Sequence, residues 1–289
     1  MELALVTATL GRLDQLQRLF ESIGDRLQRG DELVVVAQER VAEVEALAAR
    51  YRASGLPVTV VTSDRGAALG RNAGVAALTR SGDPLLVFPN DTTWFPPGSL
   101  EALRSLPDHM RVGAVTIVDE TGPKFVLPDP GSPLDRLTVW TVIEMGLLVR
   151  RRDFDAAGGF DPAIGTGAPT PWQAGEVTDL LLRLQRAGLA DEMRWMPASV
   201  WFGGIADAYG LSRHERRRKL RGYGRGLGRL VTRWRWPLWW RFAFIGGGLL
   251  FGVRHGRPYG PLDGAWVLLG RLEGALGRTL GGSTTAVTR

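Results

Sequence analysis

The 289-residue chain has no cysteine and three dispersed histidines (His109, His214, His255), which excludes disulfides, thiolate metal sites and a histidine-rich zinc centre. Its 44% hydrophobic and 23% charged residues suit a globular protein with a full core, either one large domain or a core domain with an appendage. The net charge of +6 is uneven: residues 212–257 hold 13 Lys or Arg against one acid, Glu215, a local +12 that leaves −6 for the remainder. A mildly acidic body with a strongly basic tail points to an anionic surface as partner of the tail.

Nothing at the amino terminus reads as a signal peptide, because the stretch after Glu2 leads straight into a strand; the expected location is cytosolic. Residues 3–9 form that first buried strand, followed by Leu10-Gly11-Arg12. Leu13, Leu16, Leu19, Phe20 and Ile23 then recur at helical spacing and predict a helix over 13–28. A second strand covers 31–36, a helix about 40–53 and a third strand 58–62. The segment 64–74, with Arg65 and Arg71-Asn72-Ala73-Gly74, opens a helix to about 80, and a strand follows at 85–88. Strand and helix in strict alternation predict a mostly parallel sheet flanked by helices.

That fourth strand ends abruptly in Asn90-Asp91-Thr92, then Trp94 and two prolines. In an open α/β sheet, ligands bind outside the carboxyl ends of the strands. A carboxylate there is well sited for a divalent cation or a sugar hydroxyl; the structural alternative is an Asx-type turn serving only the backbone. Further on, 112–118 and 137–149 read as strands around a proline-rich loop. Asp153 heads a short helix stopped by Gly158 and Gly159. A Gly/Pro/Thr loop at 165–174 precedes Glu176-Val177-Thr178-Asp179 and an amphipathic helix through 180–187.

From Ser212 the character changes. Arg-rich helical sequence over 213–235 runs into an apolar, tryptophan-bearing stretch at 236–253. That stretch is shorter than the roughly 20 residues needed to span a bilayer, and Arg241 interrupts it. Tryptophans beside arginines suit a segment lying in the headgroup region; the alternative is a helix packed on the body. The aromatics form a block and are not interleaved with the arginines as base-stacking platforms are, so no nucleic-acid partner is expected. Only about the last eight residues read as disordered.

Four landmarks in order carry a family likeness: the first strand ending near Thr9 to Arg12, the 65–74 segment, the 88–97 motif, and the 175–184 segment. Tyr223-Gly224-Arg225-Gly226-Leu227-Gly228 adds a basic segment. Over about residues 1–235 the chain resembles the family 2 glycosyltransferases, inverting enzymes of the GT-A fold, and in particular bacterial members that build surface polysaccharides. The resemblance implies a GT-A-like domain over 1–210 and a basic, helical, membrane-surface region over 211–289. It also implies a nucleotide-sugar donor, a lipid-linked or polysaccharide acceptor, and a peripheral place on the inner face of the cell membrane. Thr7, Arg12, Arg65, Arg71, Asn72, Asn90 and Asp91 match donor-side positions. Arginine holds diphosphate well because it is always charged and fork-shaped. Asp91 corresponds to the acid of the family's metal-binding motif, where Mg²⁺ or Mn²⁺ would neutralise the departing diphosphate. Glu176 corresponds to the base for the acceptor hydroxyl, with Asp179 second; helix capping is the other reading of Asp179. Trp172 would be a stacking wall for the acceptor sugar or a core residue. Asn72 would brace the Asn90 loop.

The chain also departs from the family pattern. The usual acidic run is reduced to Asn90-Asp91-Thr92, and the second acid of the usual pair is Val177. The acid after the second strand is replaced around Ala37-Gln38, and the histidine common after Pro197 is absent from 200–203. These losses make a non-catalytic, glycan- or nucleotide-binding partner of an active transferase the rival reading.

Overall fold

The computed structural model describes residues 1–80, 82–191, 193–206, 210–256 and 258–281, so the reading of the last eight residues lies outside the described residues. The chain forms two compact units. One comprises Met1–Arg65, Leu69–Phe160 and Val177–Ala206; the other comprises Gly66–Ala68, Asp161–Glu176 and Asp207–Arg289.

In the first unit the apolar runs become β1 (Leu3–Thr9), β2 (Glu32–Ala37), β3 (Val58–Thr62) and β4 (Leu85–Val87), alternating with α1 (Leu13–Ile23), α2 (Val41–Ala53) and α3 (Ala67–Ala76). Then come α4 (Ser99–Arg104), β5 (Val112–Ala114), β6 (Thr116–Asp119), β7 (Gly122–Pro123), β8 (Leu147–Arg150), α5 (Arg151–Ala156), α6 (Glu176–Arg186), β9 (Met193–Trp195) and β10 (Trp201–Gly203). Seven strands make one sheet in the order β3-β2-β1-β4-β8-β5-β9, in which β8 alone runs against its neighbours. A second sheet pairs β10, β6 and β7. Helix α1 buries Leu16, Leu19, Phe20 and Ile23. It stops at Gly24, whose positive φ of 51° ends the spiral and whose N–H returns to the Phe20 carbonyl at 2.8 Å. Leu5, Val35, Val87, Phe95 and Phe202 join these residues in one core. Full burial of such side chains is worth about 1.5–3 kcal/mol each.

The α/β sheet follows the expected pattern, with two corrections. The stretch read as a strand over 137–149 is 3₁₀-helical at Thr138–Thr141 and Glu144–Gly146, and strand pairing begins only at Leu147–Arg150. The Asp135 carboxylate accepts the N–H groups of Leu137 and Thr138 at 2.7 and 2.9 Å, so a side chain competes with strand pairing and wins over β-branched propensity. The expected strand 112–118 breaks at Val115, whose N–H bonds the Gly146 carbonyl at 2.8 Å. Only glycine fits at 146, because a Cβ would lie 2.3 Å from the Val115 oxygen.

The second unit is built mainly from α7 (Arg213–Arg233), α8 (Leu238–Gly246), α9 (Phe251–Arg254) and α10 (Pro261–Leu276). Glu215, the lone acid of the basic window, is a helix cap: its carboxylate accepts the Ser212 N–H while Ser212 Oγ accepts the Glu215 N–H. Helices α7 and α10 run in parallel with glycines at the seam. A Cβ on Gly228 would sit 2.1 Å from the Arg271 carbonyl oxygen, on Gly270 2.2 Å from that of Arg221, and on Gly274 2.0 Å from that of Arg225. Backbone therefore meets backbone, as in small-residue helix crossings. Two buried acids of α10 take up part of the basic charge. Glu273 accepts from Arg221 and Arg225, and Asp263 from Arg216 and Arg217. Among the described residues no helix is long and apolar enough to cross a membrane.

Candidate active site

The strand order places β1 and β4 side by side where the chain's direction of growth reverses: β2 and β3 extend from one side of β1, and β4 lies on the other. Such a switch point leaves a crevice at the strands' carboxyl ends. Thr9 ends β1 there, and Asp91 follows β4. Thr9 Oγ1 donates to Asp91 Oδ2 at 2.7 Å, and Arg12 grips the same carboxylate twice, Nε to Oδ2 at 3.1 Å and Nη2 to Oδ1 at 2.5 Å. Gly11, at φ 82°, makes the turn that brings Arg12 back, and its N–H donates to Thr9 Oγ1 at 3.0 Å. Asp91 is wholly buried, whereas the Arg12 side chain is 53% exposed. Burial pushes the Asp91 carboxyl above the usual carboxylate range, and Arg12 and the Thr9 hydroxyl pull it back only in part.

Behind this triad lies a second polar group. Arg71 Nη2 donates to Asn90 Oδ1 at 3.0 Å, Asn90 Nδ2 donates to Glu144 Oε1 at 3.0 Å, and Arg71 stands 3.6 Å from the same Glu144 oxygen. Arg71 is buried, and its guanidinium lies 5.8 Å from the Phe160 ring. It is thus placed as a brace for the Asn90 turn. Asn72, expected from the sequence to brace the Asn90 loop, instead hydrogen-bonds the Phe160 backbone, donating to its carbonyl at 2.7 Å and accepting its N–H at 2.9 Å. Arg65 pairs with Glu39 at 3.1 Å on the exposed ends of β3 and β2. Thr7 is buried within β1, and its Oγ1 has no hydrogen-bond partner among the described residues.

Asp179 is fully buried in α6 and accepts from Arg183 Nε at 2.9 Å; the same guanidinium donates to the Gly159 carbonyl at 2.7 Å. Arg183 thus ties Asp179 and α6 to the chain after α5. In the second unit, Glu176 heads α6 with little exposure, and Gly165 (φ 112°) lies against its carboxylate, where a Cβ would come within 3.0 Å. The preceding loop is stapled by its own side chains. Gln173 accepts the Gly167 N–H at 2.9 Å and donates to the Ala168 carbonyl at 2.9 Å, and the Trp172 carbonyl accepts the Gly165 N–H at 2.9 Å. Trp172 is half-buried, with the Arg229 guanidinium 5.5 Å from its ring.

Two contributors escaped the sequence reading. Thr9 stood there only as the end of a strand, although a hydroxyl at a strand's carboxyl end is a usable signal. Glu144 was hidden in a segment read as strand, and its signal is a lone acid between Ile143 and Met145.

In three dimensions the chain is similar to TarS 1–349 of S. aureus, with a TM-score of 0.56 and 12% identity over 96% of this chain and 92% of that one. TarS was also solved with UDP and with UDP-GlcNAc, and of a longer TarS chain 55% is covered. The mannosyltransferase PcManGT from Pyrobaculum calidifontis, solved with GDP-Man and Mn²⁺, matches with a TM-score of 0.57 and 13% identity over 94% and 86% of the two chains. No protein-family model and no curated protein sequence matches the chain. At these identities the likeness shows the fold: this is a glycosyltransferase fold of the GT-A type, as the sequence resemblance implied.

As arranged, the donor set at Asp91 does not fit a divalent cation. The carboxylate is buried with both oxygens engaged by Arg12 and Thr9. Among the described residues no three acids or histidines converge on a common point. A cation at Asp91 would first have to displace Arg12.

Proposed function

We propose that the protein transfers a sugar, with inversion, from a nucleotide-sugar donor to a lipid-linked or growing glycan acceptor. The observation that supports this most is the Thr9–Asp91–Arg12 triad, a buried hydroxyl and carboxylate holding a half-exposed arginine, at the switch point of a glycosyltransferase fold. Thr9 steadies Asp91, and Asp91 fixes the guanidinium of Arg12, whose remaining edge reaches solvent where a diphosphate can meet it. Asp91 is then a positioning residue, and Arg71 with Glu144 holds the Asn90 turn beneath it. In the transfer, the acceptor oxygen forms the new bond to the anomeric carbon. The bond from that carbon to the diphosphate oxygen breaks, its electron pair leaves with the nucleoside diphosphate, and the acceptor proton passes to a base. For that base we propose Glu176, since Asp179 is taken by Arg183. Trp172 serves as the acceptor-side aromatic.

The test is incubation of purified protein with a panel of nucleotide sugars, with and without a chelator, while free nucleoside diphosphate is followed. Release that persists in chelator and is lost in Arg12→Ala supports the assignment. A strict requirement for Mn²⁺ or Mg²⁺ would return Asp91 to the role of metal ligand.

A further inference from the structure

The segment from α8 to α9 has two faces of different kinds. Its inner face is locked against α10, backbone on backbone: a Cβ on Gly248 would lie 2.9 Å from the Leu268 nitrogen, and one on Gly252 2.0 Å from the Gly260 oxygen. Trp240 is buried on this side, stacked on Phe244 with ring centres 5.1 Å apart, and Arg271 lies 4.0 Å from the Phe244 ring while donating to its carbonyl at 2.5 Å. Arg241, the one charge within the apolar run, folds back to the Trp236 carbonyl at 2.6 Å. The segment therefore cannot roll to bury its other side.

That other side carries Trp239, Phe242, Leu249, Leu250 and Val253 at helical spacing, 68%, 71%, 50%, 49% and 73% exposed. Exposed cations bound the stripe at both ends, Arg235 before it and Arg254 after it. Between Glu215 and Asp263 the sequence contains no acid at all. A continuous run of large exposed apolar groups marks an interaction surface, not ordinary surface wear.

We propose that this stripe docks on an anionic phospholipid bilayer, with the tryptophan and phenylalanine rings in the interface and the flanking arginines on lipid phosphates. Charge selects this occupant. A second copy of the chain would bring cations against cations with no acid in the stretch to offset them, whereas an anionic leaflet complements both stripe and rim. The fourteen-residue advance from Trp239 to Val253 rises about 21 Å if helical throughout, too little to cross a hydrocarbon core of about 30 Å, so the segment lies in the surface. The proposal needs no donor site and stands or falls apart from the transfer reading.

The experiment is flotation of the full chain with vesicles of equal parts phosphatidylcholine and phosphatidylglycerol, beside pure phosphatidylcholine vesicles. Binding to the mixed vesicles that weakens in high salt, and falls about tenfold or more in Trp239→Ser/Phe242→Ser, is the expected result. Both positions are exposed, so thermal unfolding of that variant should match the parent; Trp239→Tyr, which keeps an interfacial ring, should restore most of the binding. Equal flotation of parent and serine variant would overturn the proposal, as would no flotation. Concentration-dependent dimerisation abolished by the same variant would also overturn it, by assigning the face to a second copy.

Discussion

Two buried acids, one in each unit, contrast what arginine does in this molecule. Asp91 and Glu273 are both wholly inaccessible to solvent. Glu273 accepts from two guanidinium groups that are themselves mostly covered, and from the Leu280 N–H at 2.6 Å. Burial alone would raise its carboxyl, but Arg221 and Arg225 outweigh that and hold it at about 2. Asp91 has one arginine and one hydroxyl, the arginine is half in water, and burial wins. A carboxylate closed over by two arginines is a brace. One that aims a single half-exposed arginine at a sheet's switch point leaves that cation able to meet a further anion. Counting arginines along the chain misses this difference.

The comparison can be broken at several points. The largest effect is expected on chemistry: Glu176→Gln should lower sugar transfer about a hundredfold or more while nucleotide affinity changes little, read by single-turnover assay beside titration. Equal rates would move the base elsewhere. Next, Glu273→Gln should cost about 3 kcal/mol near neutral pH, from the drop of the carboxyl from 4.5 to about 2 on folding. Because the folded value is the lower one, this stabilisation is complete above about 4.5 and is lost as pH falls toward 2. Chemical denaturation at stepped pH should therefore show parent and variant converging in acid. A constant gap would mean that Glu273 titrates normally.

Gly228→Ala should destabilise by about 1–3 kcal/mol, since the new methyl meets the Arg271 carbonyl and the parallel helices must part. Calorimetric unfolding checks it, and an unchanged midpoint would contradict the tight seam. Smallest of all, Arg65→Ala removes an exposed pair with Glu39 and should shift stability by less than about 1 kcal/mol. A large loss of donor affinity in that variant would make Arg65 a donor ligand alongside Arg12.

The parallel half of the sheet was legible because β1 to β4 are unbroken apolar runs set apart by helical periodicity. The position of Asp91 at a strand's carboxyl end was legible, and the structure places it there. Its partners were not, since Thr9 and Arg12 lie 82 and 79 residues away in sequence and only the β1–β4 pairing brings them together. Arg71 read as a phosphate ligand, yet packing buries it between Asn90 and Glu144. The basic tail is less bare than its own window shows: Asp263 and Glu273 fall outside that window, and helix packing brings them to Arg216, Arg217, Arg221 and Arg225. The glycines that permit this packing, Gly224 and Gly228 with Gly270 and Gly274, were visible at four-residue spacing all along.

The central claim is that Arg12, aimed by Asp91 and Thr9, receives the donor's diphosphate without a metal between them. Calorimetric titration of parent and Arg12→Ala with UDP and GDP, in chelator and then with Mn²⁺, tests it most directly. The account predicts that the parent binds at least one of these nucleotides in chelator, and that Arg12→Ala weakens that binding by about tenfold or more. Binding that appears only with Mn²⁺ and is indifferent to Arg12 would contradict it.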